Sequence, residues 1–112
     1  MQQLLVIILK KSDIVDTLMQ SFAENGIKGG TVIETTGMAR SLAKSQNLQM
    51  LAAIGTILGN IPPTNGNMIL LALPEDKLEA AKNVVHEVCG DLSKPNAGVM
   101  FALPITFSEG IV

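Results

Sequence analysis

Tryptophan and tyrosine are absent from the 112 residues, and only three phenylalanines are present. So few rings cannot build the stacking platforms that single-stranded nucleic acid requires. Positive charge is also scarce. No basic run exceeds the pair Lys10-Lys11 and the formal net charge is −2, which argues against a phosphate-backbone footprint. The single cysteine, Cys89, cannot form an intramolecular disulfide and suits a reducing compartment, so a cytoplasmic protein is expected. The longest apolar run near the start, Leu4 to Leu9, is too short to span a bilayer, and the residues before it lack the basic region of a signal peptide. No membrane insertion is expected. The nucleotide-binding patterns GxxxxGKS/T and GxGxxG are missing, as are CxxC and HExxH. His86 stands alone, beside the main apolar stripe of its segment, and reads as a surface residue; Cys89 reads as a small core residue. Nothing joins the two to an orienting acid, so the chain is not expected to be an enzyme.

What the chain has is aliphatic surface. Apolar residues make up 47% and charged residues 16%, a balance that excludes disorder and fits one domain over residues 1–112. Leu4 to Leu9 is continuous rather than alternating, the pattern of a strand covered on both faces. Ser12 or Asp13 then offers an N-cap, and Ile14, Val15, Leu18, Met19 and Phe22 recur at helical spacing up to Asn25-Gly26. Thr31 to Thr36 is β-branched and predicts a second strand. The order then repeats. Met68 to Leu73 is a continuous apolar strand, Pro74-Glu75-Asp76 opens a helix with Leu78, Ala81, Val85 and Val88 on its buried face, Gly90 stops it, and Val99 to Leu103 is a strand ended by Pro104.

Two β-α-β units in about a hundred residues predict an α+β, ferredoxin-like sandwich (βαββαβ) with both helices on one face of an antiparallel sheet. The other face would be bare in a monomer, although its strands are apolar throughout. Cover by further copies of the chain resolves the conflict, so an oligomer is expected.

Residues 38–66 form an excursion too long for a plain connection. Within it Met50, Leu51, Ile54 and Ile57 recur at helical spacing, a stripe suited either to a partner protein or to packing against the chain's own assembly. Two further loops offer chemistry. Gly37 to Arg40 supplies a permissive backbone and one cation; Gly90 to Gly98 supplies backbone donors, a hydroxyl and Lys94. Such groups suit an anion, and they equally suit ordinary solvated turns.

The segment Gly26-Ile27-Lys28-Gly29-Gly30-Thr31-Val32-Ile33-Glu34-Thr35-Thr36-Gly37-Met38-Ala39-Arg40 resembles the G-x-x-G-x-T-V-x-E-x-x-G-x-G-R run of the PII nitrogen-regulatory signal-transduction family. The resemblance extends over nearly the whole chain and includes the strand ending Leu103-Pro104-Ile105. It implies a homotrimer with inward-facing sheets, a T-loop arm over 38–66 that contacts a partner protein, and a small ligand in clefts between subunits. Thr31, Gly37, Arg40, Lys94 and Gly98 match cleft positions in that family. The family's G-K-I-G-D-G-K run is replaced by Ser93-Lys94-Pro95-Asn96-Ala97-Gly98-Val99, and Ala39 stands where the family has glycine. With Arg40 and Lys94 as its cations, the cleft suits ADP or AMP, or another small anion, better than ATP. Without tyrosine, uridylylation of a loop tyrosine is excluded. The alternative to such a sensor is a trimeric scaffold that has lost its ligand site.

Overall fold

A computed structural model describes residues 1–11, 13–36, 38, 66–94 and 97–111. Along the described chain run β1 (Gln2–Leu9), α1 (Val15–Glu24), β2 (Thr31–Thr35), β3 (Gly66–Pro74), a 3-10 turn (Glu75–Lys77), α2 (Leu78–Cys89) and β4 (Gly98–Ile105). The strands form one sheet in the order β2-β3-β1-β4, and every neighbouring pair is antiparallel. This is the expected ferredoxin-like arrangement of a double β-α-β chain. The excursion expected over 38–66, with Met50, Leu51, Ile54 and Ile57, lies outside the described residues except for Met38 and Gly66, and Gly66 already belongs to β3.

One face of the sheet carries the core. Leu5, Ile7 and Leu9 of β1 and Ile69, Leu71 and Leu73 of β3 are buried there. Val15, Leu18 and Phe22 of α1 close over them, joined by Ala81, Val84 and Val85 of α2. The α1 stripe legible in the sequence is the packed stripe; on α2 Ala81 and Val85 are buried as expected, Val84 joins them, and Leu78 and Val88 are half-buried against the core. Full burial of side chains of this size stabilises by about 1.5–3 kcal/mol each, which is what holds two helices of only 10 and 12 residues in place. Both helices end where the chain takes a positive φ, at Gly26 (74°) and Gly90 (75°).

Three local expectations need correction. The N-cap of α1 is Ile14, with a helical backbone and no side-chain cap, rather than Ser12 or Asp13. Packing of Ile14 and Val15 against the core sets the start, and the Leu18 N–H bonds the Ile14 carbonyl. A 3-10 turn at Glu75–Lys77 precedes α2, so the acids lie before the α-helix proper. Pro104 does not end β4, which runs on to Ile105 with Pro104 opposite Gln3. Proline lacks only an N–H, and on an outer strand that N–H has no ladder partner to lose.

The second sheet face is also apolar. Directly opposed residues share a face, so the cross-strand row Ile33, Met68, Ile8, Val99 lies on the side away from the helices. Leu70, Val6 and Phe101 form the next row, and Ala72, Leu4 and Leu103 the third. At the centre Val6 is only 5% exposed, because its neighbours shield it. On β4 the shielding fails: Val99, Phe101 and Leu103 are 50%, 44% and 47% exposed. Among the described residues nothing covers this face over β4.

Candidate functional site

The described candidates divide between two places. Thr31 opens β2 and pairs with Leu70, which pairs through β1 with Phe101 of β4. Its side chain is exposed on the face away from the helices, at one edge of the sheet. Gly98 begins β4 on the opposite edge, paired with Leu9. Three strand spacings, about 14 Å, and roughly 10 Å along the strands separate the two positions. A single chain does not bring them together. Gly37 and Arg40 lie outside the described residues.

Gly98 has a packing role of its own. A Cβ there would run into the Ile8 carbonyl oxygen and stand 3.3 Å from Leu9 Cδ2, and its φ of +154° is one that side chains rarely adopt. The backbone of β4 enters the sheet too close to β1 for any side chain.

Lys94 belongs to the turn that leads from α2 to β4, and a short hydrogen-bond chain shapes that turn. Asp91 Oδ1 accepts from the Ser93 N–H at 2.9 Å and from Ser93 Oγ at 2.7 Å. The Lys94 N–H donates to the Asp91 carbonyl at 3.3 Å, and the Ala97 N–H to the Lys94 carbonyl at 3.2 Å. The Lys10 N–H then bonds the Ala97 carbonyl at 3.4 Å, tying the turn to the end of β1. The Ser93 hydroxyl and N–H together hold the Asp91 carboxyl below its usual range. Lys94 itself is exposed and projects from this turn with no acidic partner among the described residues. Pro95 and Asn96 lie outside the described residues.

His86 is exposed on α2, as its place beside the stripe suggests. Cys89 packs partly against the core, and burial pushes its thiol above the ordinary value. Among the described residues no group of three or more His, Cys, Asp or Glu side chains could hold a metal, and no helix is long and apolar enough to cross a membrane.

Sequence reading missed Asn67. It stands in β3 opposite Leu9 and Glu34, on the helix side, two strand spacings from Gly98. Its Oδ1 is buried without a hydrogen-bond donor among the described residues, a rare condition in a folded chain. The only sequence signal is an amide at the start of an otherwise apolar strand.

No protein-family model matches this sequence, and no curated protein matches it. Solved structures do. PII from Arabidopsis thaliana bound to citrate superposes with a TM-score of 0.63 at 15% identity, over 93% of this chain and 77% of that one. A functionally unknown protein from Pediococcus pentosaceus superposes with a TM-score of 0.62 at 9% identity, over 98% and 96% of the two chains. The architecture of this chain is that of the PII fold, as the segment from Gly26 to Arg40 suggests.

Proposed function

We propose that this chain is a PII-like cytoplasmic regulatory protein that assembles as a homotrimer and binds a small anionic ligand, ADP or AMP in preference to ATP, in the clefts between subunits. The observation that carries the reading is the apolar sheet face left open over β4. Covering the exposed parts of Val99, Phe101, Leu103 and Ile33 would contribute about 1 kcal/mol each per subunit, and copies of the same chain supply a matching surface. The separation of Thr31 from the Lys94 turn supports the cleft. Those groups sit on opposite edges of one sheet, so only the edge of a neighbouring copy can complete a site that uses both. The Arabidopsis PII protein takes citrate, a small polyanion, which accords with a site of few cations. Arg40 and Lys94 would meet the ligand's charge, with Thr31, Gly37 and Gly98 lining the cleft. A ligand that prefers one arrangement of the 38–66 arm would then alter partner binding through Met50, Leu51, Ile54 and Ile57.

Native mass spectrometry reads subunit number and co-purified ligand together, and a thermal-shift panel of ATP, ADP, AMP and cyclic nucleotides ranks affinities. Three subunits and a melting temperature raised most by ADP or AMP are expected, since binding to the folded state alone raises stability by mass action. Three subunits with a flat panel would leave the ligand-free scaffold; a lone subunit would defeat both.

A further inference from the structure

At the end of the sheet away from Gly98 and Lys94 lies a cavity of about 240 Å³ with a different character. Gln2 at the start of β1, and Leu73 and Pro74 at the end of β3, form one side; Ile27 and Lys28, from the turn between α1 and β2, form another. Lys77 of the 3-10 turn closes it, its ammonium reaching to 3.8 Å from the place a Cβ on Gly26 would take. Glycine suits that turn because of its φ of +74°.

Two features mark this hollow as a receptor for an anion. The first is charge. Lys28 and Lys77 both line it; among the described residues no acidic side chain does, and neither lysine has an ion-pair partner. The nearby acids Glu75 and Asp76 border an adjoining hollow that shares Gln2 and Pro74 with this one, and there Glu75 Oε2 stands 3.6 Å from the terminal amine. The second is an open strand edge. β1 pairs with β3 as far as Pro74, whereas β2 pairs with it only from Gly66 to Leu70. Among the described residues, 71–74 therefore lack a strand on their outer side, and no described turn or loop backbone bonds to them. In an antiparallel strand alternate residues aim their N–H and C=O at the same side, so this wall carries backbone polar groups above the apolar surface of Ile27 and Leu73.

We infer that this cavity binds a small organic anion, its carboxylate or phosphate held between the Lys28 and Lys77 ammoniums and its short apolar body set against Ile27, Leu73 and Pro74. The volume lies just below the range usual for ligand pockets, which suits a small ligand. Neither Thr31 nor Lys94 lines this cavity; it lies about 23 Å along β1 from the Gly98 end, and Thr31 follows Lys28 by three residues. The site needs neither a nucleotide nor the 38–66 arm.

The test maps backbone amide shifts of the full chain during titration with 3-methylbutanoate, with its neutral match 3-methylbutanamide, and with inorganic phosphate. The carboxylate should give saturable shifts centred on Lys28, Ala72, Leu73 and Lys77, with the amide at least tenfold weaker. Phosphate binding as well as the carboxylate would assign recognition to the charged head, and weaker phosphate binding would assign the remainder to the apolar body. The double variant Lys28→Gln/Lys77→Gln should bind the carboxylate at least tenfold more weakly at an unchanged melting temperature, while Lys11→Gln binds as the parent does. No saturable shift, equal response to the amide, shifts spread evenly over all exposed lysines, or undiminished binding by the double variant would each overturn the inference. Should the double variant fail to fold, the comparison of carboxylate and amide on the parent chain decides.

Discussion

Asp91 takes two hydrogen bonds on a single carboxylate oxygen, both from Ser93. Because those donors favour the charged form, the carboxyl is held below its usual range in the folded chain. A group whose folded value is depressed adds stability above its unfolded value, about 3.9 for an aspartate, and loses it as pH falls through the folded value. The gap in urea midpoint between the parent and Asp91→Asn should therefore be widest near neutrality and narrow once pH falls below about 4. A gap that stays constant through that range would mean the Ser93 bonds do not favour the ionised form. The turn carries Lys94, so its shape bears on the proposed cleft as well as on the link from α2 to β4. None of this was legible beforehand. The residues Asp91 and Ser93 suggest a turn, but which oxygen accepts from which donor is a matter of three-dimensional closure.

At the scale of elements, β1 and β4 meet more closely at Gly98 than any side chain allows, because the Ile8 carbonyl occupies the space of a Cβ. Gly98→Ala must push backbone against backbone, and the chain should lose about 1–3 kcal/mol, read as a lowered urea midpoint with an unchanged slope. An alanine variant as stable as the parent would show that β4 can slide outward freely. The strands and helices themselves were readable because burial imposes period. Leu18 and Phe22, four residues apart, fall on one helical face, and Leu5, Ile7 and Leu9 fall on one strand face. Strand ends were not so readable. Pro104 looks like a terminator until the order β2-β3-β1-β4 makes β4 an outer strand, and strand order is a long-range property that no local window contains. The same limit applied to the site. Thr31 and Gly98 can be named from a motif, yet only the register shows them on opposite edges of the sheet. The cavity between Lys28 and Lys77 joins residues from separate segments, and its lysines look like solvated charges in the sequence.

For the whole molecule, the deciding question is whether the open sheet face stays open. A substitution on β4 distinguishes the cases because the same change has different costs in each. In a lone subunit Phe101 is 44% exposed, and a glutamate could keep its carboxylate in water, with an effect within roughly 0.5 kcal/mol as at other surface positions. In an assembly that covers this face, the carboxylate would be stripped of water with no described cation beside it. An unpaired buried charge costs several kcal/mol, enough to separate subunits at micromolar concentration. Phe101→Glu should therefore leave the far-ultraviolet circular dichroism of the chain intact while light scattering falls from the mass of the assembly to that of one subunit. The conservative variant Phe101→Leu should keep the assembled mass, since it retains apolar cover at that position. If Phe101→Glu leaves the assembled mass unchanged, the copies meet elsewhere, and the cleft between the Thr31 edge and the Lys94 turn loses its physical basis.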